Sequence, residues 1–119
     1  MKHHHYHRQK MSRIIDELGI ALFYAGAHEV GFQVKKEPDG MRLLVQADYD
    51  PAHRAQLETL SRLLQPEIRD PALAETYWEL TGIDLEAGTS ELSLVGQILD
   101  DAHITLTQER IEMELFVAR

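Results

Sequence analysis

The chain contains no cysteine among its 119 residues. This absence excludes disulfide bonds, thiolate metal sites and cysteine nucleophiles, and it is typical of proteins in a reducing compartment. No apolar run approaches the roughly 18 residues that a membrane-spanning helix needs. We therefore expect a cytoplasmic protein that is not embedded in a membrane, with a length that suits one folded domain.

Basic residues are scarce once the first 13 positions are passed. That segment carries Lys2, Arg8, Lys10 and Arg13 and no acid, whereas the rest of the chain has 8 basic and 20 acidic residues. An acidic surface repels nucleic acid and anionic membranes. We expect neither as a partner, and expect instead a protein partner or a homo-oligomer.

Histidine is concentrated at the start of the chain, at positions 3, 4, 5 and 7. Histidine-rich tracts bind zinc or nickel, but a tract at the N-terminus is also typical of a disordered tail or an expression tag. We interpret residues 1–11 as a flexible basic head and residues 12–119 as a single domain. A metal-handling protein that acts through the head stays open as a lesser alternative.

The first predicted helix follows this head, with Ser12 as its N-cap and its end near Ala27. Phe23 and Tyr24 widen its apolar face, so we expect most of its circumference to be covered. Its apolar positions recur at helical spacing: Ile14, Ile15, Leu18, Leu22, Ala25 and Gly26.

A β-hairpin is predicted next, because two segments alternate apolar and polar residues. Pro38-Asp39-Gly40 separates them, and we expect the proline to preset its φ and the glycine to adopt a positive φ. The apolar positions are Val30, Phe32 and Val34 in the first strand, and Met41, Leu43, Val45 and Ala47 in the second.

Two helices are predicted after the hairpin, because Asp50-Pro51 and Asp70-Pro71 both match a cap followed by proline at the first helical position. We expect Trp78 to anchor the second of these helices to the core. The first has the stripe Leu57, Leu60, Leu63 and Leu64. Acids in the surrounding segment form either a solvated face or a docking surface for a basic partner: Glu67, Asp70, Glu75, Glu79, Asp84 and Glu86.

The end of the chain predicts one more helix and two strands. Ser90 caps a helix over 91–101, and strands follow over 103–108 and 110–117. The helix is indicated by Leu92, Val95, Ile98 and Leu99, and the last strand by Ile111, Met113, Leu115 and Val117. Paired strands separated by helices predict an α+β fold: a two-layer α/β sandwich with a four-stranded mixed or antiparallel sheet and helices on one face.

The segments "ELGIALFYAGAH", "MRLLVQADYD" and "SELSLVGQILDDAHITLTQERIEMELFV" occur in an order that resembles the GHKL superfamily over residues 12–118. This is the ATP-binding fold of gyrase, histidine kinases and anti-sigma kinases. In that family the first helix carries a glutamate and, four residues later, a magnesium-binding asparagine. The hairpin ends in an Asp-x-Gly motif that reads adenine, and a lid of the type Gly-x-Gly-Leu-Gly-Leu opens the last helix.

The resemblance implies a nucleotide site at positions where this chain has mostly lost the expected side chains. Glu17 matches the glutamate, but Ala21 stands at the asparagine position and offers no magnesium ligand. Ala47 falls on the adenine aspartate, with Asp48 one residue along and therefore on the opposite face of the strand. Gly88 is retained in the lid, whereas Glu91 and Ser93 replace two of its glycines.

The degenerate motifs favour a non-catalytic regulatory or protein-interaction module, for which we expect no cofactor and no catalytic residue. The alternative is a divergent ATP-binding kinase or anti-sigma-type regulator, with Mg-ATP bound, Glu17 as general base and Asp48 in place of the adenine aspartate. His28, His53 and His103 are too scattered to indicate a metal site. His103 lies beside Asp100 and Asp101, and pH sensing there would be only the generic property of a histidine near acids.

Overall fold

A computed structural model describes residues 2–65 and 92–118, and gives the backbone alone for residues 2–8, 93 and 94. In chain order the elements are α1 (Lys2–Tyr24), β1 (Val30–Glu37), β2 (Gly40–Asp48), a 3-10 turn (Pro51–His53), α2 (Arg54–Leu63), α3 (Leu92–Ile98), β3 (Asp101–Leu106) and β4 (Arg110–Ala118). Within these ranges, no helix is long and apolar enough to cross a membrane.

The four strands form one open sheet in the order β1-β2-β4-β3, and every neighbouring pair is antiparallel. The predicted α+β fold is confirmed, and of the two predicted sheet types the antiparallel one is present. β2 and β4 lie at the centre although about 70 residues separate them in the chain. Their pairing is therefore the long-range contact that closes the sheet.

The β2–β4 register places all of their buried side chains on the same face. Leu43 lies opposite Leu115, and Val45 lies opposite Met113. These side chains pack with the helices in one hydrophobic core, which confirms the period-two alternation predicted for both strands. The core positions of the helices are Ile14, Leu18, Leu22, Leu57, Leu60, Leu64, Leu92, Val95 and Leu99.

The hairpin between β1 and β2 is confirmed, with Pro38 and Asp39 as its two loop residues. Gly40 differs from the prediction, because Gly26 is the single glycine with positive φ in the described ranges. A Cβ on Gly40 would overlap the Val117 carbonyl oxygen and lie 2.7 Å from the Phe116 ring. Gly40 is thus required by the close approach of β4, rather than by a left-handed backbone.

The boundaries predicted for the first helix were wrong at both ends. α1 begins at Lys2, so Ser12 lies inside the helix and is not its N-cap. The helix ends at Tyr24, before Gly26, whose φ is +90°. The backbone of residues 2–11 is therefore the first part of α1, and the flexibility expected for this head stays a prediction.

A Schellman closure ends α1. The Gly26 N–H donates to the Phe23 carbonyl and the Ala27 N–H donates to the Leu22 carbonyl, at 3.0 and 3.1 Å. Ala27 is buried beside the same core as Leu22. Gly26 therefore terminates the helix. Its spacing had suggested a place in the apolar stripe, which it does not have.

The apolar stripe of α1 is narrower than predicted. Phe23 is 57% exposed and Tyr24 is 53% exposed, so the outer side of the helix is open toward its C-terminal end. Their aromatic rings therefore lie outside the hydrophobic core, although both residues are hydrophobic. Ile20 is exposed beside them.

The start of the second helical segment agrees with its prediction. The Asp50 side chain accepts a hydrogen bond from the Ala52 N–H at 3.0 Å, and Pro51 occupies the first position of the 3-10 turn that leads into α2. The four leucines predicted as the stripe of α2 and its end are buried. The predicted helix around Trp78, the acidic segment and the Ser90 cap lie outside the described residues.

The predicted helix over 91–101 ends earlier than expected. α3 ends at Ile98, and Asp101 is already the first residue of β3, two residues before the predicted strand. The Asp100 N–H donates to the Phe116 carbonyl at 2.8 Å, and the Asp100 carboxylate accepts the Ala118 N–H at 2.7 Å. These bonds to β4 fix where the chain leaves the helix.

We expect Gly26→Ala to lower the free energy of unfolding by about 1–3 kcal/mol, because the left-handed backbone disfavours a side chain. Its Cβ would also lie 2.7 Å from the Asp50 Cβ. Gly19→Ala in α1 is the control: its Cβ would meet Phe32 at an ordinary 3.8 Å. Urea unfolding measures both, and equal effects of the two substitutions would contradict the assigned role of Gly26.

Candidate functional site

Two of the positions that correspond to the nucleotide site lie one turn apart on α1. Glu17 is half-buried, and Ala21 is only 1% exposed. Ala21 packs in the core with Leu18 and Leu22. At the position where the resembled family binds magnesium, this chain therefore has a packed methyl group.

The third and fourth positions are adjacent at the end of β2 and point to opposite faces. Ala47 is 1% exposed and lies between Val30 of β1 and Ile111 of β4. Asp48 is partly exposed on the other face of the strand. The pleat of β2 thus places the carboxylate away from the core side on which Ala21 and Ala47 lie, as the alternation predicted.

Asp48 binds the loop that connects α1 to β1. Its Oδ1 accepts the backbone N–H groups of His28 and Glu29, each at 2.9 Å, and its Oδ2 lies 3.1 Å from the His28 Nδ1. The hydrogen bond from the Glu29 N–H is the main reason that the pKa of Asp48 falls from its usual 3.8 to about 2, and the contacts with His28 add to it. Both carboxylate oxygens therefore have partners within the chain.

The residues after Asp48 complete a junction between three parts of the fold. The buried Tyr49 hydroxyl donates to the Thr107 carbonyl in the β3–β4 turn, and Arg54 donates to the same carbonyl at 3.0 Å. The Asp50 N–H donates to the Ala25 carbonyl at the end of α1 at 3.0 Å. At the end of β2, polar groups of these three parts of the fold therefore form hydrogen bonds with one another.

The lid positions are mostly beyond the described ranges. Gly88 and Glu91 lie outside them, and Ser93 belongs to the first turn of α3, where its backbone alone is described. α3 does contact α1, as a lid helix would be expected to contact the first helix. The structure therefore brings Ala21 and Ala47 into one core, leaves Asp48 on the other face, and does not bear on the two lid positions.

The face of the sheet opposite the hydrophobic core forms a shallow groove of about 550 Å³ that sequence reasoning missed. Leu44 forms part of its floor. Its polar lining comes from all four strands: Gln33, Gln46, His103, Thr105, Glu112 and Glu114. The signal was available in the outward positions of the alternating strands, but alternation alone does not show whether a sheet face is flat or concave.

Charged groups at one end of this face are already paired. Arg42 donates to both carboxylate oxygens of Glu37 at 3.0 and 3.1 Å and to Glu114 at 3.2 Å, and its guanidinium lies over the Phe116 ring at 4.9 Å. The hydrogen bonds from Arg42 lower the pKa of Glu37. This cluster joins β1, β2 and β4.

His28, His53 and His103 lie in different parts of the fold. His103 pairs with Asp101 at 3.1 Å, while His53 contacts Gln56 at 3.2 Å. Among the side chains described in residues 9–65 and 92–118, no three histidines, aspartates or glutamates are grouped as a metal site. The metal-handling alternative therefore depends on the histidine side chains at positions 3, 4, 5 and 7, which lie outside the described side chains.

No family model, curated protein or solved structure matches the chain. The geometry of the residues is thus the basis on which a function is proposed.

Stability should depend on the ionisation of Asp48 at low pH. Because the pKa of Asp48 is lowered to about 2 in the folded chain, its contribution is complete above about pH 4 and is lost as the pH falls toward 2. Asp48→Asn should therefore lower the melting temperature at pH 7 and reduce the loss of stability between pH 4 and 2. A carboxyl titration by NMR with an Asp48 pKa near 4 would contradict this assignment.

Ala21→Asn tests whether position 21, which the resemblance aligns with the magnesium-binding asparagine, is packed. We expect it to lower the free energy of unfolding by about 2 kcal/mol more than Ala55→Asn does, as measured by urea unfolding. The reason is that an amide at position 21 would be buried without a hydrogen-bond partner. Ala55 is exposed in α2, so the matched substitution carries the same loss of helix propensity. Equal costs would mean that position 21 has polar space around it.

Proposed function

We propose that this chain is a regulatory or protein-interaction domain resembling the GHKL ATPase fold, with a degenerate nucleotide site and no catalytic activity. The observation that carries the proposal is the burial of Ala21 and Ala47 in one hydrophobic core. Those are the positions where the family would hold magnesium and read adenine. A core without polar groups at both places supplies neither a metal ligand nor an acceptor for the adenine amino group.

Exposed side chains on α1 support the proposal that this chain binds a protein partner. Ile20, Phe23 and Tyr24 form an exposed apolar stripe on the C-terminal half of α1. Exposed large hydrophobic side chains that cluster are typical of protein-binding surfaces, whereas scattered ones are ordinary. The acidic balance of the chain favours a protein over nucleic acid as the partner.

The alternative, an ATP-binding kinase that uses Glu17 and Asp48, has less support. Asp48 would have to release the His28 and Glu29 N–H groups before its carboxylate could accept an adenine amino group. It would also have to act from the face of β2 opposite to Ala47. Under the present proposal, Asp48 holds the loop after α1, and neither ATP nor magnesium is a cofactor.

Calorimetric titration of the full chain with Mg-ATP tests the proposal. We expect no saturable heat, because the corresponding space is packed. Micromolar binding would overturn the proposal. If binding is found, Asp48→Ala should abolish it under the kinase alternative, while Asp101→Ala should not. Asp101 is a suitable control since its carboxylate also lies 3.1 Å from a histidine, at a different end of the sheet.

A further inference from the structure

β1 is an open edge of the sheet. It spans eight residues, and among the described strands it has β2 as its neighbour on one side and no strand on the other. In an antiparallel ladder, alternate residues direct their N–H and C=O groups away from the partner strand. This edge therefore presents a row of backbone donors and acceptors that a further strand can bind.

Exposed hydrophobic side chains occur on β1 and on the helix that packs over it. In the described part of the chain there are four large ones: Ile20, Phe23 and Tyr24 on α1, and Val34 on β1. α1 lies over β1, since a Cβ on Gly19 would meet the Phe32 ring at 3.8 Å. Because Val34 belongs to β1 itself, an incoming strand would find an apolar side chain next to the backbone edge.

The opposite edge lacks this combination. β3 has six residues, and its core-side positions Ala102, Ile104 and Leu106 are buried or half-buried. Its other positions are exposed and polar, with Asp101 paired to His103. Among the described residues, β1 is therefore the edge at which exposed backbone groups and an exposed apolar side chain occur together.

The sequence of β1 is complementary to itself in one register. Opposite residues of an antiparallel pair share a face, so the two faces are preserved when a residue of β1 lies opposite its own copy. With Phe32 at that centre, the two Phe32 side chains lie opposite each other, and Val30 of each chain lies opposite Val34 of the other. Aromatic pairs and pairs of β-branched side chains are favourable across strands, and the symmetry provides the valine pair twice.

Neighbouring registers are poorer. With Gln33 at the centre, Val30 would lie opposite a lysine, and with Lys35 at the centre two lysines would face each other. The Phe32 register instead places Lys35 opposite Glu29, so it avoids both arrangements and adds a pair of opposite charges. Edge lysines normally discourage pairing, and here they act against the wrong registers.

We propose that β1 pairs antiparallel with β1 of a second copy of this chain, with Phe32 at the two-fold axis. The two sheets then form one sheet of eight strands. A two-fold dimer is the commonest symmetric assembly of soluble proteins. This inference deepens the proposed function, on which it rests for the role of α1 and β1 as an interaction surface.

Sedimentation equilibrium of the full chain over about a hundredfold concentration range tests the inference. We expect a monomer–dimer equilibrium whose Kd rises at least about tenfold in Val34→Lys, because that variant places a charge opposite each Val30. Val34 is 42% exposed, so the monomer should keep its melting temperature. Thr105→Lys puts the same charge at an exposed position of the opposite edge, and it should leave the Kd unchanged.

Hydrogen exchange of the unmodified chain gives a second measurement that needs no variant. Alternate amides of β1 should exchange more slowly as the dimer forms, while those of β3 should not change. A monomer at every concentration would overturn the inference, as would a dimer that Thr105→Lys weakens and Val34→Lys does not. Protection of β1 that requires a strand from a different protein would overturn the second-copy assignment and leave the proposed function standing. The Mg-ATP titration, in contrast, tests the proposed function and not the dimer.

Discussion

The pairing of β2 with β4 is the interaction on which the rest of the structure depends. It joins segments about 70 residues apart, and it places Leu43 against Leu115 and Val45 against Met113 on a single face. Once these apolar positions share a face, the helices must cover it to remove them from water. The other face is left polar, and its slight concavity follows from the twist of the sheet. The long loop that this pairing closes makes it the costly step of forming the fold.

Structural contacts occupy the end of β2. Ala47 completes the core, Asp48 holds the loop after α1, and Tyr49 reaches the β3–β4 turn. In the resembled family the corresponding strand end reads adenine. Here its polar atoms form hydrogen bonds within the chain. These bonds stabilise the fold and leave few polar groups at this place to bind a ligand. A surface for partners is then more readily found at the exposed side of α1 and the edge of β1.

Much of the local structure could be predicted because its causes are local. The alternation of β2 and β4, the leucine stripe of α2 and the Asp50-Pro51 start all depend on residues within a few positions of one another. The failures have equally physical causes. Phe23 and Tyr24 are hydrophobic yet exposed, since hydrophobicity does not tell which side of a helix meets the sheet. Ser12 has a capping side chain, but the helix continues through it from Lys2.

The sequence by itself determined which residues have a buried face, where the hairpin turns, and that Asp48 lies on the opposite face from Ala47, because side-chain alternation along a strand is a property of the backbone. The tertiary structure decided the strand order, the partners of the Asp48 carboxylate, the reason for Gly40 and which edge is open. Each of these depends on segments far apart in the chain. Gly40 illustrates the difference: its sequence neighbours indicate a turn, but the approach of Val117 and Phe116 of β4 is what requires a residue without a side chain.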